Sequence, residues 1–108
     1  MSLYAQYRKE REGKETLETE HGFATYFFHG EFCYLEDIFV LVSHRQEGIA
    51  RKLADQVIEI AKAKGYKKLM GSVNTQTNNV TTSIKVLLAY GMKFHAVQDH
   101  MLFFTMEI

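Results

Sequence analysis

Apolar positions along the chain change their spacing repeatedly, and those changes divide it into strands and helices. Residues 3 to 12, LYAQYRKERE, predict a short charged helix that Gly13 would end. ETLETE, residues 15 to 20, alternates and predicts a strand. After a turn at Gly22, FATYFFH, residues 23 to 29, is aromatic on both faces, as a central strand would be. A second turn at Gly30 leads to CYLEDIFVLV, residues 33 to 42, the strongest strand pattern in the chain. The first half therefore predicts an antiparallel meander of about three strands.

From Ile49 the period becomes helical. Ile49, Leu53, Val57 and Ile60 or Ala61 recur at helical spacing, with Ala50, Ala54 and Ile58 widening the stripe. Lys62, Lys64 and Gly65 supply basic residues and a glycine stop. KKLMGSV, residues 67 to 73, is the next strand, and strand, helix and strand together predict a right-handed crossover between parallel neighbours. A polar loop, NTQTNN, precedes an amphipathic helix from about Thr81 to Tyr90, closed by Gly91. KFHAVQ and MLFFTMEI then pair as a hairpin across Asp99 and His100. The expected fold is α/β (α+β): an antiparallel N-terminal meander, one parallel βαβ crossover, a helix and a C-terminal hairpin, all on one mixed sheet.

Length adds that the 108 residues suit a single domain, residues 1 to 108. Thirteen basic side chains balance thirteen acidic ones, so the overall positive field expected of a nucleic-acid binder is missing. YRKEREGKE is mixed in sign and reads as a solvated helix face. No segment is long and apolar enough to predict a membrane span, and the first residues are too polar for a secretory signal. Cys33 is alone and reads as a small core residue, and the expected location is cytoplasmic. The five histidines, His21, His29, His44, His95 and His100, lack the spacing of a zinc site, so no metal is expected. His44 reads as a solvent-facing loop residue, and Asn79-Val80-Thr81 as a glycosylation pattern without use in the cytoplasm.

The most specific chemistry sits where the strongest strand turns into the long helix. A helix start carries free N–H groups and partial positive charge, and so receives a phosphate. Gly48 would let the main chain approach a bulky anion, Ala50 is small, and Arg45 can add a bidentate charged contact. The stretch is neither a Walker loop nor a GxGxxG turn. Arg45-Gln46-Glu47-Gly48-Ile49-Ala50 resembles the R/Q-x-x-G-x-G/A signature of the GNAT superfamily of N-acetyltransferases. YLEDIFV resembles the strand that enters that signature, and GFATYFF with YLEDIFV is similar to spermidine/spermine-type and related small-amine acetyltransferases. The resemblance runs from about residue 16 to the end.

What the resemblance implies is acetyl-CoA as cofactor and a small amine, or a peptide or protein amine, as acceptor. The entering strand would splay from its neighbour, with Phe39, Val40 and Leu41 lining the pantetheine arm. Main-chain groups of Arg45, Gln46, Glu47, Gly48, Ile49, Ala50 and Arg51 would hold the pyrophosphate. Glu36 sits where related enzymes carry a proposed base, and strict alternation puts it on the face of Ile38 and Val40, with Asp37 on the other. Such apolar neighbours would raise its pKa to roughly 6 to 7; a carboxylate near a strand end, solvated or paired with a lysine, is the alternative. The Val40 N–H would polarise the thioester carbonyl.

In the second helix the resemblance implies N-x-x-A/S-x-x-x-Y-x-x-x-G. Here the small position is Ser83, the asparagine position falls on Val80 with Asn79 one residue away, and the acidic tyrosine position falls on Leu87. Tyr90, three residues on, is a substitute proton donor or an aromatic packing at the helix end. The family's N-terminal helices are reduced to one, so the acceptor side is expected to be open or completed by a second subunit. MLFFTMEI is either core or a strand that pairs or packs across a homodimer. A module of this fold that binds CoA or a protein without catalysis is the alternative function.

Overall fold

A helix at each point where the hydrophobic period lengthens, and strands elsewhere, make up the computed structural model, which describes residues 2–108. Helix α1 (Leu3–Glu12) starts at Ser2, whose side chain accepts the Ala5 N–H at 3.1 Å, and stops at Gly13, left-handed at φ 68°. Strands β1 (Glu15–Glu18), β2 (Gly22–His29) and β3 (Phe32–Val40) follow as the antiparallel meander. A single 3₁₀ turn, Val42–His44, then leads to α2 (Ile49–Ala63), β4 (Lys68–Asn74), α3 (Val80–Tyr90), β5 (Lys93–Gln98) and β6 (Met101–Glu107). The strand order is β1-β2-β3-β4-β6-β5, with β3 and β4 parallel and every other pair antiparallel.

One face of the sheet carries the core. Leu53, Ala54, Val57, Ile58 and Ala61 of α2 are buried, and most of them cluster with Ala24, Tyr26, Cys33, Leu69, Val73 and Phe104. Val57 is fully buried, and a side chain of that kind contributes about 1.5–3 kcal/mol of transfer free energy. Ile84 and Leu87 of α3 pack against the same cluster. Cys33 is buried there, and desolvation pushes its thiol up to about 11, as an inert core residue requires. On β2, Phe23 and Thr25 alternate with core-facing Ala24 and Tyr26, and α1 lies on their side. Tyr4 of α1 meets Phe23 there at 5.6 Å between ring centroids. No helix among the described residues is long and apolar enough to cross a membrane.

Three expectations change. β1 stops at Glu18 rather than residue 20. β3 stops at Val40, because the Leu41 N–H still bonds the His21 carbonyl (2.8 Å) but the chain then folds into the 3₁₀ turn, leaving Val42 75% exposed. An unbroken apolar run cannot report where pairing ends. β6 is bonded to β4 on one side and β5 on the other, so its main chain is not available to pair across a dimer.

Candidate functional site

β3 and β4 pair only from Phe32–Lys68 to Leu35–Gly71. β3 continues to Val40 bonded to β2 alone, and β4 to Asn74 bonded to β6 alone. Beyond Leu35 and Gly71 the sheet is therefore split, with two unpaired edges flanking a gap. Main-chain direction alternates along an antiparallel strand. Leu41 donates to His21, so Phe39 and Leu41 turn their main-chain groups to β2, while Ile38 and Val40 turn theirs into the gap. This corrects the expectation that Phe39, Val40 and Leu41 all line it. Ile38, which the sequence did not single out, belongs there. Opposite Val40, Gly22 is required by close approach: a Cβ would meet the Phe39 carbonyl oxygen at 2.5 Å.

The gap leads to the turn before α2. Gln46 (φ 69°) and Gly48 (φ 79°) are both left-handed, which reverses the chain twice within three residues. Among the described residues no main-chain acceptor takes the N–H groups of residues 46 to 51; the first helical bond runs from Lys52 to the Gly48 carbonyl at 3.1 Å. Gln46, Glu47, Gly48, Ala50 and Arg51 are exposed and Ile49 is half-buried, so these donors face solvent together at the positive end of a 15-residue helix. Nothing lies within 4 Å of where a Gly48 Cβ would stand.

Arg45 packs against the end of the strand that precedes it. Its Nε donates to the Val40 carbonyl at 3.0 Å, and its guanidinium lies 5.8 Å from the Phe39 ring centre. Nε braces the strand end, while the two terminal nitrogens make no hydrogen bond or ion pair among the described residues. His44 is not a free loop residue. Its ring stacks on His21 at 3.6 Å and its Nδ1 lies 3.3 Å from Glu47. A hollow of about 220 Å³ opens beside α2, lined by His21, Ile49, Lys52 and Gln56. A larger one, about 410 Å³, lies between Phe32, Lys68, Lys93 and Glu107, where β3 and β4 begin and remain paired, away from the open N–H groups.

At the apex of the gap, β3 carries a bulge. Thr25 pairs with Asp37 and Tyr26 with Leu35, which leaves Glu36 as the extra residue. The bulge shifts the alternation by one. Ile38 packs into the core, while Glu36 and Asp37 both stand on the face of buried Thr25. Glu36 is thus not on the face of Ile38 and Val40, and Asp37 does not oppose it. Glu36 Oε2 accepts from Arg8 Nη2 and, at 3.1 Å, from Thr25 Oγ1; Oε1 accepts from Lys14 Nζ at 2.6 Å. Burial pushes the Glu36 carboxyl up, but Lys14, Arg8 and Thr25 outweigh it and hold the carboxyl below its ordinary range. The expected rise is therefore reversed, by cations that the local sequence does not contain. Asp37, exposed at the surface, goes the other way: partial desolvation and the Glu36 charge raise it, against a smaller pull from Arg8 and Lys14.

A sequence profile described as the Acetyltransferase (GNAT) family matches residues 8–92. The chain belongs to the GNAT acetyltransferase family. No curated protein matches its sequence significantly. Among solved structures, the GNAT chain is similar to a GNAT family acetyltransferase from Elizabethkingia anophelis with acetyl-CoA bound, with TM-score 0.75 and 21% identity over 98% of this chain and 82% of that one. It is similar to the PaiA N-acetyltransferase of Thermoplasma acidophilum in complex with coenzyme A, with TM-score 0.77 and 12% identity over 98% and 69%. Nourseothricin acetyltransferase gives TM-score 0.71 and 23% identity over 81% of this chain and 57% of that one, so the GNAT chain spans little more than half of that relative. At these identities the structures establish a shared fold, including the β5–β6 hairpin that the family match does not reach.

On α3 of the GNAT chain, Leu87 and Tyr90 have different surroundings. Leu87 points at the apex, its methyl 3.7 Å from where a Cβ on Gly71 would lie. Tyr90 turns aside to α2: its hydroxyl donates to Asp55 Oδ1 at 2.5 Å, and the Arg51 guanidinium lies 5.2 Å from its ring centre. Burial, then the bond to Asp55, push the phenol well above its usual range, which suits an inter-helix tie better than a proton donor. Asn79 is the left-handed N-cap of α3 (φ 62°) without a side-chain cap bond, and both it and Ser83 are exposed.

Proposed function

We propose that this chain transfers an acetyl group from acetyl-CoA to a primary amine, by direct attack within a ternary complex. The observation that carries the reading is the split between β3 and β4 running straight into a turn whose N–H groups at residues 46 to 51 are unclaimed. A long thioester with a diphosphate at one end fits that sequence of donors: the turn takes the paired phosphates, and the Ile38 and Val40 edge takes the amide arm. The Val40 N–H, and the Ile38 N–H nearer the apex, are the donors that can polarise the thioester carbonyl. The Val40 carbonyl is held by Arg45, so the edge offers the arm donors more readily than acceptors there. Asn79 and Ser83, exposed at the start of α3, extend the polar lining of the far side.

When bound, acetyl-CoA supplies the activated acyl group and a thiol leaving group. The protein's part is to orient it, to stabilise the oxyanion and to accept the amine's proton. With Leu87 at the apex no side chain of α3 protonates the departing sulfur, and a thiol of pKa roughly 8.5 leaves as thiolate without one. Leu87 also favours a second reading, a CoA-binding module without turnover. Calorimetry with CoA, followed by thiol release from acetyl-CoA against a panel of alkylamines and lysine peptides, separates them. Heat of binding with thiol release is expected; binding without release from any acceptor selects the second reading, and no heat at all removes both.

A further inference from the structure

We propose that Asp37, with Glu36 as a fixed anion beside it, is the side chain that takes the proton from the acceptor amine. The inference rests on the transferase reading above and assigns the acceptor side of that site.

The bulge sets two neighbouring carboxylates on one face at the apex of the gap, next to Ile38, whose main chain faces the gap. Their surroundings are unequal. Both Glu36 oxygens are spent on Arg8, Lys14 and Thr25, so taking a proton would break bonds to two cations and a buried hydroxyl. Asp37 has no hydrogen bond or ion pair among the described residues. Its carboxylate can accept a proton and keep it without breaking anything. The charges that face it are Glu36 from its own strand, Arg8 from α1 and Lys14 from the segment after α1. Partial desolvation, on a residue whose surface is otherwise exposed, and Glu36 favour the protonated form; Arg8 and Lys14 oppose it and are themselves engaged with Glu36. Two carboxylates pushed apart in this way divide the labour: one remains an anion, the other exchanges protons.

The step balances without any further reactant. The acceptor ammonium gives one proton to an Asp37 oxygen. The freed lone pair forms the C–N bond at the thioester carbonyl carbon. The carbonyl re-forms as the C–S bond breaks, and its electron pair leaves on sulfur. The second nitrogen proton passes through water to the thiolate, and Asp37 returns its proton to solvent.

The test uses the full chain, acetyl-CoA and a simple alkylamine found active in the panel. Thiol release is measured from pH 5 to 10 for wild type, Asp37→Asn, Glu36→Gln and Lys14→Gln, with CoA affinity by calorimetry. Asp37→Asn is expected to lower kcat by about 10²-fold or more at neutral pH with CoA affinity unchanged. The deficit should shrink towards the amine's own pKa of roughly 10, where the free base needs no help. Glu36→Gln removes the neighbouring anion, so the acidic limb of kcat/KM moves to lower pH. Lys14→Gln removes a cation, so the limb moves to higher pH even where Glu36→Gln folds poorly. An Asp37→Asn variant as active as wild type, with the same pH profile, overturns the assignment alone. Loss of activity in Glu36→Gln with Asp37→Asn unaffected returns the role to Glu36. A wild type that binds CoA but turns over no acceptor overturns the transferase reading and this role with it.

Discussion

At the edge of β3 that borders the gap the useful groups are main-chain donors, from Ile38 and Val40 and from the turn at residues 46 to 51; on the sheet face towards α1 they are the charged side chains of Arg8, Lys14, Glu36 and Asp37. The first side is local. Its geometry follows from where β3 stops, from two left-handed residues and from the start of α2, all within about a dozen positions. The second is assembled across the fold, with Arg8 28 residues and Lys14 22 residues from the carboxylate they hold. A site made of backbone tolerates almost any side chain and depends on conformation. A site made of side chains depends on partners, and changes function when one of them changes.

Substitutions can break this contrast, and the largest effect is expected where conformation is the whole mechanism. Gly48→Val places a branched residue at φ 79°, which costs about 1–2 kcal/mol of stability. It also disturbs the donors themselves, so CoA affinity by calorimetry should fall about tenfold or more. Gln46→Ala, at the other left-handed position, should change affinity much less if side chains there are passengers. Equal losses for both would end the distinction.

The next effect is on the acceptor side and shows in stability. Glu36→Gln leaves Arg8 and Lys14 with Glu12 as their remaining anion and should cost about 1–3 kcal/mol near pH 7 in thermal or denaturant unfolding. The pH dependence has a definite sign. The folded Glu36 carboxyl sits below its ordinary value of about 4.3, so the unfolded chain binds protons first. The stability it contributes is present above that pH and is lost as pH falls through the folded-state value. Wild type should therefore lose more stability than Glu36→Gln between pH 6 and pH 3; parallel losses would mean that the cluster does not hold Glu36.

The smallest effect is expected at Tyr90. Tyr90→Phe removes the bond to Asp55 and should cost about 1 kcal/mol or less, with kcat and its pH profile unchanged. A large fall in kcat would restore the hydroxyl as proton donor and contradict its position against α2.

The contrast also explains what could be read in advance. The turn at Gly48 announced itself because a glycine and a switch from strand to helical period coincide there. Leu87 is legible by counting back four residues from Gly91, and the fold adds that its methyl lies beside Gly71. The face of Glu36 is not legible in YLEDIFV, where nothing marks a bulge: the extra residue exists only in relation to Thr25 and Tyr26 on the partner strand. The rise expected of its pKa failed with it, since the cations come from α1 and Lys14. Tyr90 was placed by helical spacing, which gives a face but not the neighbour waiting on it. The stack of His21 on His44 joins a β1–β2 turn to a 3₁₀ turn, and neither segment implies the other.

By itself the sequence determined the order and kind of the elements, the core stripe of α2, the crossover and the glycine turn before α2, because periodicity, glycine and helix ends act within a few residues. Tertiary structure alone decided where β3 and β4 part, which main-chain groups face the gap, and that Glu36 is clamped while Asp37 is left free. Those outcomes depend on register and on charges brought together from distant positions, and electrostatic partners carry no signature in the segments that supply them.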